Sequence, residues 1–431
     1  MLWSFHGPTP SSAAPKSPAG AHNPVLTRDD LAARDAADPM TPLRDRFTLP
    51  KGVVYLDGNS LGPLPAATSQ RLVRVIAGEW GQGLIRSWND AGWIDMPLAV
   101  GARIAPLLGA AKDSVVACDS VSVNIFKLAG AALAMRPDRR VIVCEADDFP
   151  TDRHVLEGLA AATGAALRTV PRGRAAAALT PDVALLLLTH VHYASGAVHD
   201  MAALSAAATD AGALSLWDLS HSAGALDLSI DADGADFAVG CGYKYLNGGP
   251  GAPAFAYVAA RHHDAFMPPL RGWMGHAEPF GFNDHWTPAP GVRRLLVGTP
   301  SIIALAALDA GVATFQGVDM AAAEARSAAL AATFAELVET RCPQVTTERP
   351  APGTRHGCQI ILRHPQGRRI MAALIARGVI GDFRPPDRMR FGFPALYTRF
   401  ADLWDAVDAL AAVIASGEWQ DARFDALGMV S

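Results

Sequence analysis

The chain has 431 residues, of which 50% are hydrophobic and 18% charged, a composition typical of a globular protein with a buried core. Its formal net charge of −5 argues against a nucleic-acid partner or an anionic membrane surface, because neither attracts a mildly acidic protein. No apolar run reaches the roughly 20 residues of a membrane-spanning helix, and five scattered cysteines without a Cys-x-x-Cys pair predict reduced thiols, a cytoplasmic protein and no structural zinc.

The order of predicted elements divides the chain into three regions. Residues 1–24 are rich in Pro, Ala, Ser and Gly, which predicts a disordered leader. Residues 25–300 form the predicted large domain, in which predicted strands alternate with predicted helices from about residue 113 to 260, a pattern typical of a mostly parallel sheet covered by helices on both faces. Residues 301–431 begin with an alanine-rich stretch, Ala304–Thr340, that we expect to be helical, and continue with short strands. The predicted fold class is therefore α/β, with a large domain followed by a small C-terminal α+β domain.

Two loops early in the chain carry candidate ligand-binding side chains. The first has the sequence DGNSLGPLP at residues 57–65. Its glycines would let the backbone approach a ligand, while Asn59 and Ser60 would supply hydrogen bonds; a tight connector explains the same residues equally well. The second loop, Arg86–Trp93, contains two tryptophans among polar neighbours. Trp88 is therefore either the wall of a pocket or part of the core.

Two further candidates follow predicted strands of the large domain. Ser120 and Ser122 lie in a turn that we expect to open a helix at Ile125–Ala134. The free N–H groups and the dipole of a helix N-terminus favour a bound phosphate, although ordinary capping by either serine explains the same turn. Phe149 follows the predicted strand at 140–144, where an aromatic side chain could stack on a flat ring.

Lys244 and Asp218 form the most informative pair. Lys244 follows the apolar run Phe237–Cys241 and lies in a turn of small residues, while Asp218 ends the apolar run Leu214–Trp217. A lysine can bind the aldehyde of pyridoxal phosphate (PLP) as a Schiff base, and an aspartate can keep its pyridine nitrogen protonated. Ligands of parallel sheets bind at the carboxyl ends of the strands. The groups that we expect to meet there are Ser122, Phe149, Asp218, His221 and Lys244.

Arg390 is a charged residue in an otherwise apolar strand, between Met389 and Phe391. Such an arginine needs an anionic partner. In a PLP enzyme that acts on amino acids this partner would be the substrate carboxylate, and the alternative is a structural salt bridge. His190 and His192 have no third ligand at a spacing that suits a metal, so no metal site is predicted.

Five motifs, taken together and in chain order, resemble those of the kynureninase family: YLDGNSLGP at 55–63, FPTD at 149–152, WDLSHSAG at 217–224, GYKYLN at 242–247 and GWMGH at 272–276. The resemblance implies a PLP-dependent enzyme of fold type I with a seven-stranded-type sheet in its large domain. It also implies a homodimer with active sites at the subunit interface. The implied reaction is hydrolysis of the Cβ–Cγ bond of L-kynurenine, or of 3-hydroxykynurenine, to anthranilate and L-alanine in tryptophan catabolism.

The resemblance implies roles for single residues as well. Lys244 would bind PLP, Asp218 would pair with its pyridine nitrogen, and Phe149 would stack on its ring. The other implied cofactor-binding residues are Val121, Ser122, Asp152, His221, Tyr243, Trp273 and Thr299. The predicted substrate-binding residues are Asn59, Ser60, Trp88 and Arg390, the last as a clamp for the α-carboxylate.

Four residues refine this expectation. Trp273 and Thr299 would reach the phosphate region of the cofactor in the neighbouring subunit. Thr299 departs from the members of the family that carry Asn there, but its hydroxyl keeps a donor. Trp88 resembles the bacterial branch and favours kynurenine over its 3-hydroxy form. Tyr243, next to Lys244, is the candidate for proton transfer at the γ-carbonyl, so the predicted catalytic residues are Lys244 and Tyr243.

Three other functions would use some of the same residues. A cysteine desulfurase of the same fold would need a reactive cysteine on a mobile loop, and neither Cys342 nor Cys358 lies in a convincing one. A non-catalytic PLP-binding protein could keep Lys244 but would have no need for Arg390 and Tyr243 together. A zinc hydrolase would depend on histidines whose spacing does not suit a metal.

Overall fold

The computed structural model describes residues 26–351 and 353–425, so the leader predicted at 1–24 lies outside the described residues. The α-helices are α1 (Arg28–Ala37), α2 (Thr68–Val73), α3 (Ser87–Asp90), α4 (Met96–Leu108), α5 (Val121–Met135), α6 (Pro150–Thr163), α7 (Met201–Asp210), α8 (Ile302–Val312), α9 (Met320–Arg341), α10 (Gly367–Ala376) and α11 (Phe400–Ser416). The strands are β1 (Phe47–Thr48), β2 (Val54–Tyr55), β3 (Leu64–Pro65), β4 (Val115–Ala117), β5 (Val141–Glu145), β6 (Ala166–Val170), β7 (Val183–Thr189), β8 (Leu214–Asp218), β9 (Phe237–Gly240), β10 (Phe255–Val258), β11 (Thr346–Glu348), β12 (Gln359–Arg363), β13 (Val379–Ile380), β14 (Asp382–Arg384) and β15 (Arg388–Gly392).

A seven-stranded sheet in the order β4-β10-β9-β8-β7-β5-β6 forms the centre of the molecule. Neighbours from β9 to β6 pair in parallel, and β10 runs antiparallel between β4 and β9. Every residue of β7 is buried, because side chains on both faces of the sheet enter a hydrophobic cluster. Leu185 and Leu187 pack in the cluster that contains α5 and α6, while Leu186 and Leu188 pack in the cluster that contains α4 and α8. The predicted α/β class with a mostly parallel sheet is confirmed.

The C-terminal elements build a second sheet with its own hydrophobic cluster. Strands β11-β12-β15-β14 are antiparallel, and residues of α9, α10 and α11 pack against them. Two N-terminal elements join this part of the molecule. β2 pairs in parallel with β13, and the buried Asp35 of α1 accepts hydrogen bonds from the backbone N–H groups of Phe400 and Ala401 at the start of α11. The predicted domain boundary between 300 and 301 stays a prediction.

Helix α5 begins earlier than the sequence pattern predicts. The predicted helix started at Ile125, whereas the structure starts it at Val121 with Ser120 as its N-cap. The Ser120 hydroxyl accepts a hydrogen bond from the backbone N–H of Val123 at 3.4 Å, which satisfies one of the free donors of the first turn. Ser122 therefore lies inside the first helical turn, and the predicted turn before the helix is shorter.

The alanine-rich stretch Ala304–Thr340 is not one continuous helix. A break separates α8 from α9. Gly317 adopts a left-handed backbone there, with φ +73, and Asp319 caps the following helix by accepting hydrogen bonds from the N–H groups of Ala321 and Ala322. Within the described residues, no single helix combines the length and apolar composition needed to cross a bilayer. Ile302–Phe315 and Met320–Arg341 satisfy both conditions only when they are taken together across a bend of 85°.

Candidate active site

A pocket opens at the carboxyl edge of the parallel sheet. Thr189 and Asp218 at the ends of β7 and β8 form its floor, and the first residues of α5 and α6 form its sides. Its lining residues are Ser120, Val121, Ser122, Phe149, Thr151, Asp152, Thr189, Tyr193, Asp218, Ser220, His221, Cys241, Tyr243, Lys244, Ala252 and Ala254. This is the position where parallel α/β sheets bind ligands, since the strand ends and helix N-termini meet there.

The pocket separates the predicted site residues into two groups. Those that line it are Val121, Ser122, Phe149, Asp152, Asp218, His221, Tyr243 and Lys244. Those that lie elsewhere in the chain are Asn59, Ser60, Trp88, Trp273, Thr299 and Arg390. All residues that were predicted to contact the cofactor of their own subunit thus line one pocket. Their functional roles stay predictions.

Lys244 lies in the centre of the pocket, between aromatic rings and a buried imidazole. Its Nζ atom is 3.1 Å from Nε2 of His221, 5.8 Å from the ring centroid of Tyr243 and 5.9 Å from that of Phe149. Burial, together with the nearby Lys244 ammonium, lowers the pKa of His221 well below its usual range. His221 is therefore neutral and accepts a hydrogen bond from Lys244 through Nε2, which leaves its proton on Nδ1. That Nδ1 atom is buried and has no protein partner among the described residues.

Two carboxyl groups lie side by side below Lys244. Asp218 is almost completely buried, and its Oδ1 atom accepts a hydrogen bond from the backbone N–H of Ser220 at 2.8 Å. Burial and the neighbouring Asp218 carboxylate raise the pKa of Asp152 well above its usual range, so Asp152 keeps its proton. The Oδ1 atom of Asp152 is buried without a partner in the described part of the chain. The pair thus presents two neighbouring buried carboxyl groups to a ligand.

The residues of the pocket fit PLP. The first turn of α5 offers backbone N–H groups that have no partner inside the helix, which suits a phosphate. Asp218 can hold a protonated pyridine nitrogen, and Lys244 can react with an aldehyde. Phe149, whose side chain is 39% exposed at the pocket, offers a flat face for the ring. The orphaned Nδ1 atom of His221 is a buried donor that a ligand oxygen could satisfy.

Arg390 lies beside the pocket in a polar cluster of its own. It is 1% exposed, and its Nε atom donates to Oδ1 of Asp382 at 2.9 Å, while Nη2 donates to Oδ2 of the same carboxylate and to Oγ of Ser60 at 3.1 Å. Nη1 donates to the carbonyl oxygen of Tyr193 at 2.6 Å. The structure therefore shows the salt bridge that was the alternative to the substrate clamp. Tyr193 lines the pocket, so its hydrogen bond brings the Arg390 guanidinium to the pocket wall. Binding of the substrate carboxylate by the remaining N–H donor of this guanidinium stays a prediction.

The loop at residues 57–65 belongs to the same cluster. The Ser60 hydroxyl donates to Oδ2 of Asp382 at 3.0 Å, and the fully buried Asn59 donates through Nδ2 to Oδ1 of Asp57 at 3.2 Å. Ser60 thus contacts Arg390, Asn59 contacts Asp57, and neither residue lines the pocket. Burial and the neighbouring Asp382 carboxylate raise the pKa of Asp57 to about 7, whereas the Arg390 guanidinium outweighs burial and lowers the pKa of Asp382.

Three predicted residues lie away from the pocket of their own chain. Trp88 is half-buried and packs edge-on against Trp93 with ring centroids 5.8 Å apart. Trp273 is 38% exposed and packs edge-on against Phe280. Thr299 lines a separate cavity together with Asp119. That Trp273 and Thr299 reach the cofactor of a neighbouring subunit stays a prediction.

The two histidines considered as metal ligands are satisfied by serines. Nδ1 of His190 is 2.8 Å from Oγ of Ser222, and Nδ1 of His192 is 2.7 Å from Oγ of Ser195. Across residues 26–351 and 353–425, no group of three or more His, Cys, Asp or Glu side chains is arranged to hold a metal ion.

Sequence reasoning missed Tyr193, Thr189 and Asp382. Thr189 and Tyr193 end and follow β7, so the rule that selected the other strand ends could have selected both. Tyr193 packs edge-on against Phe149 at 5.4 Å and accepts the hydrogen bond from Arg390. No sequence pattern indicated Asp382, because its importance depends on its position directly opposite Arg390 in the pairing of β14 with β15.

The fold and the pocket define the class of protein. Similar solved structures include a cysteine desulfurase from Thermococcus onnurineus (TM-score 0.74, 18% identity, covering 87% of this chain and 98% of that one) and the cysteine desulfurase CsdA from Escherichia coli (TM-score 0.73, 19% identity, 88% and 99%). At this identity the likeness shows the fold alone. The chain has fold type I of the PLP-dependent enzymes, and its pocket contains a lysine and an aspartate.

Curated relatives identify the family within this class. Kynureninase from Burkholderia mallei is 46% identical over 409 residues, covering 93% of this chain and 98% of the relative, and kynureninase from Pseudomonas fluorescens is similar to the same extent. The family model of the kynureninase C-terminal domain matches residues 323–410. The chain belongs to the kynureninase family.

Proposed function

We propose that the protein hydrolyses the Cβ–Cγ bond of L-kynurenine, giving anthranilate and L-alanine in tryptophan catabolism. The observation that carries this proposal is the position of Lys244 between His221, Tyr243 and Phe149 and above the carboxyl pair of Asp218 and Asp152, in a chain of this family. We also propose that the enzyme is a cytoplasmic homodimer and that 3-hydroxykynurenine is a second, poorer substrate.

PLP, when bound, supplies an electron sink conjugated to the substrate Cα atom. The residues of this chain do the rest. Asp218 holds a proton on the pyridine nitrogen, which keeps the sink effective. Lys244 removes and returns the proton at Cα, and the neutral imidazole of His221, at 3.1 Å, holds its amine in place.

Tyr243 moves the proton at the γ-carbonyl, where water adds before the Cβ–Cγ bond breaks. Its ring lines the pocket beside Lys244, and burial raises the pKa of its phenol above the usual range. The phenol is therefore protonated at neutral pH and available as a donor. Arg390 binds the α-carboxylate from the side of Tyr193, to whose carbonyl oxygen its Nη1 atom already points.

Exposed aromatic and aliphatic side chains support the homodimer. In the single chain Phe282 and Ile85 are each 77% exposed, and Trp80 and Phe280 are more than half exposed. Exposed apolar side chains in such numbers indicate a surface that another protein covers. A second copy of the chain would also explain why Trp273 and Thr299 face away from their own pocket.

A cysteine desulfurase is the alternative of the same fold. All five cysteines of the chain are buried, and burial raises the pKa of four of the thiols, those of Cys118, Cys144, Cys342 and Cys358, to about 11. A thiol of this kind is a poor nucleophile at neutral pH, because the thiolate is the reactive form. The described cysteines thus favour the hydrolase.

The test is a comparison of two substrates with one purified, PLP-loaded enzyme. L-kynurenine should yield anthranilate at a rate that saturates with substrate, and L-cysteine should yield no sulfide above the protein-free control. Sulfide from L-cysteine without anthranilate from L-kynurenine would replace the proposal with the desulfurase. The absence of both products would favour a non-catalytic PLP-binding protein.

A further inference from the structure

The ammonium group of Lys127 is completely buried beneath the turn that opens α5. Its Nζ atom donates to Oδ2 of Asp119 at 2.5 Å and to the carbonyl oxygen of Leu295 at 2.7 Å, and it lies 3.7 Å from Sγ of Cys118. A fully buried cation is costly unless its partners satisfy it, and removing one partner leaves an uncompensated charge. The ion pair between Lys127 and Asp119 therefore strongly favours a single conformation of the turn that opens α5.

Asp119 is the residue at which the chain turns from β4 into α5. Its backbone is left-handed, with φ +50, a conformation that Asp adopts more readily than most residues. Its carbonyl oxygen accepts a hydrogen bond from the N–H of Ala254 at 3.0 Å, and the next residue, Ser120, caps the helix. The direction of the N–H groups of Val121 and Ser122 thus depends on the backbone conformation of Asp119.

We propose that Lys127 and Asp119 are positioning residues for the phosphate group of the cofactor. Lys127 anchors Asp119 from below, and Asp119 sets the direction of the first N–H groups of α5. A helix N-terminus binds a phosphate well when its donors are already in place, because no ordering cost then reduces the affinity. The ion pair also neutralises a carboxylate that would otherwise repel the phosphate.

The bond from Lys127 to Leu295 extends this role. Leu295 ends a short helical turn, Gly291–Leu295, and the chain continues from there to Thr299. Asp119 and Thr299 line the same cavity. Lys127 thus connects the phosphate turn of its own subunit with the segment that we predict to reach the cofactor of the neighbouring subunit.

The inference rests on the proposed PLP site and is tested by comparing two ligands that differ only in the phosphate. The dissociation constants of PLP and of pyridoxal are measured by absorbance titration of the apoprotein. Lys127→Met, which keeps the length of the side chain, should weaken PLP binding about tenfold or more and leave pyridoxal binding nearly unchanged. A merely structural role would not change the preference for PLP over pyridoxal.

The double variant Lys127→Met/Asp119→Asn covers the case in which Lys127→Met does not fold. It leaves no buried charge, and Asn tolerates the left-handed backbone. It still lacks the charged anchor to Leu295, so it should also lose about tenfold in PLP affinity. A folded double variant with the wild-type preference for PLP would overturn the inference.

Arg326 provides a matched control in the C-terminal part of the molecule. Its guanidinium is buried like the Lys127 ammonium, and it donates to the Asp38 carboxylate, to the carbonyl oxygen of Ala395 and, at 2.8 Å, to that of Thr398. Arg326→Met should lower the melting temperature without changing the ratio of the two dissociation constants. If the wild-type apoprotein binds neither ligand, the PLP site itself is wrong, whereas equal ratios in all variants would contradict only the role of Lys127.

Discussion

Arg390 and Asp382 face each other across neighbouring antiparallel strands and form a buried ion pair with two contacts between guanidinium and carboxylate. Directly opposite residues are close enough for their side chains to interact strongly. The carboxylate fixes the guanidinium in one orientation, with Nη1 directed at the carbonyl oxygen of Tyr193 on the pocket wall. We infer that Asp382 orients the arginine that receives the substrate carboxylate.

Arg390→Lys tests this role, because it keeps the charge that Asp382 requires but removes the planar set of donors. The variant should raise the KM for L-kynurenine about tenfold or more, with little change in PLP affinity. Arg384→Lys is the control, since Arg384 also pairs with Asp382, at 2.7 Å, but its side chain is 41% exposed and that of Arg390 only 1%. An unchanged KM in Arg390→Lys would make the salt bridge purely structural.

Tyr243→Phe should keep the cofactor and lose most turnover. The change removes one hydroxyl from the pocket and leaves the ring that lies 5.8 Å from the Lys244 ammonium. We expect kcat to fall about 100-fold or more, the usual contribution of a positioned acid or base, with the PLP absorbance retained. Tyr245→Phe removes a buried hydroxyl two residues away that does not line the pocket, and it should leave kcat near the wild-type value. Full activity of Tyr243→Phe would assign the proton transfer to another group.

Asp57 makes the free energy of unfolding depend on pH. Burial and Asp382 raise its pKa in the folded protein to about 7, so between pH 4 and 7 the folded state keeps a proton that the unfolded state has released. The contribution of Asp57 to the free energy of unfolding is therefore present at low pH and is lost as pH rises through about 7. One unit of pKa corresponds to about 1.4 kcal/mol. Asp57→Asn should therefore gain stability relative to the wild type as pH rises from 5 to 8, measured by urea unfolding. An equal difference at both pH values would contradict the raised pKa.

Subunit hybrids test whether two chains share a site. A Lys244→Ala subunit lacks the lysine that we predict to bind the cofactor, and a Trp273→Ala subunit lacks the tryptophan that we predict to reach the neighbouring cofactor. In a mixed dimer, one site combines an intact Lys244 with an intact Trp273. Coexpression should therefore restore activity above that of either variant alone. If Trp273 served its own subunit, the hybrids would gain nothing over the Trp273→Ala enzyme.

The sequence predicted the parallel strands well because both faces of the sheet are buried. The run Leu214–Trp217, which we predicted to end at Asp218, forms β8 (Leu214–Asp218), and every residue of this strand is buried. The strand-end rule likewise predicted that Asp218 and Lys244 share a pocket, because parallel strands end at one edge. The predicted start of α5 at Ile125 was wrong, since capping by Ser120 depends on a backbone turn that the sequence pattern does not reveal.

Contacts between strands that are distant in the chain could not be predicted from the sequence. The pairing of Asp382 with Arg390 depends on the register of β14 and β15, and a shift by one residue would turn the carboxylate to the other face. The burial of Lys127 against Leu295 likewise joins elements far apart in the chain. Trp273 and Thr299 lie outside the pocket of their own chain, as we expect of residues that a neighbouring subunit would supply.

We propose that Lys244 and its pocket cleave L-kynurenine between Cβ and Cγ. The most direct measurement follows anthranilate fluorescence and L-alanine together, in parallel reactions of the PLP-loaded wild type and Lys244→Ala. We expect equal amounts of the two products from the wild type and none from the variant. Failure of the wild type to form anthranilate, or its formation at the same rate by Lys244→Ala, would contradict it.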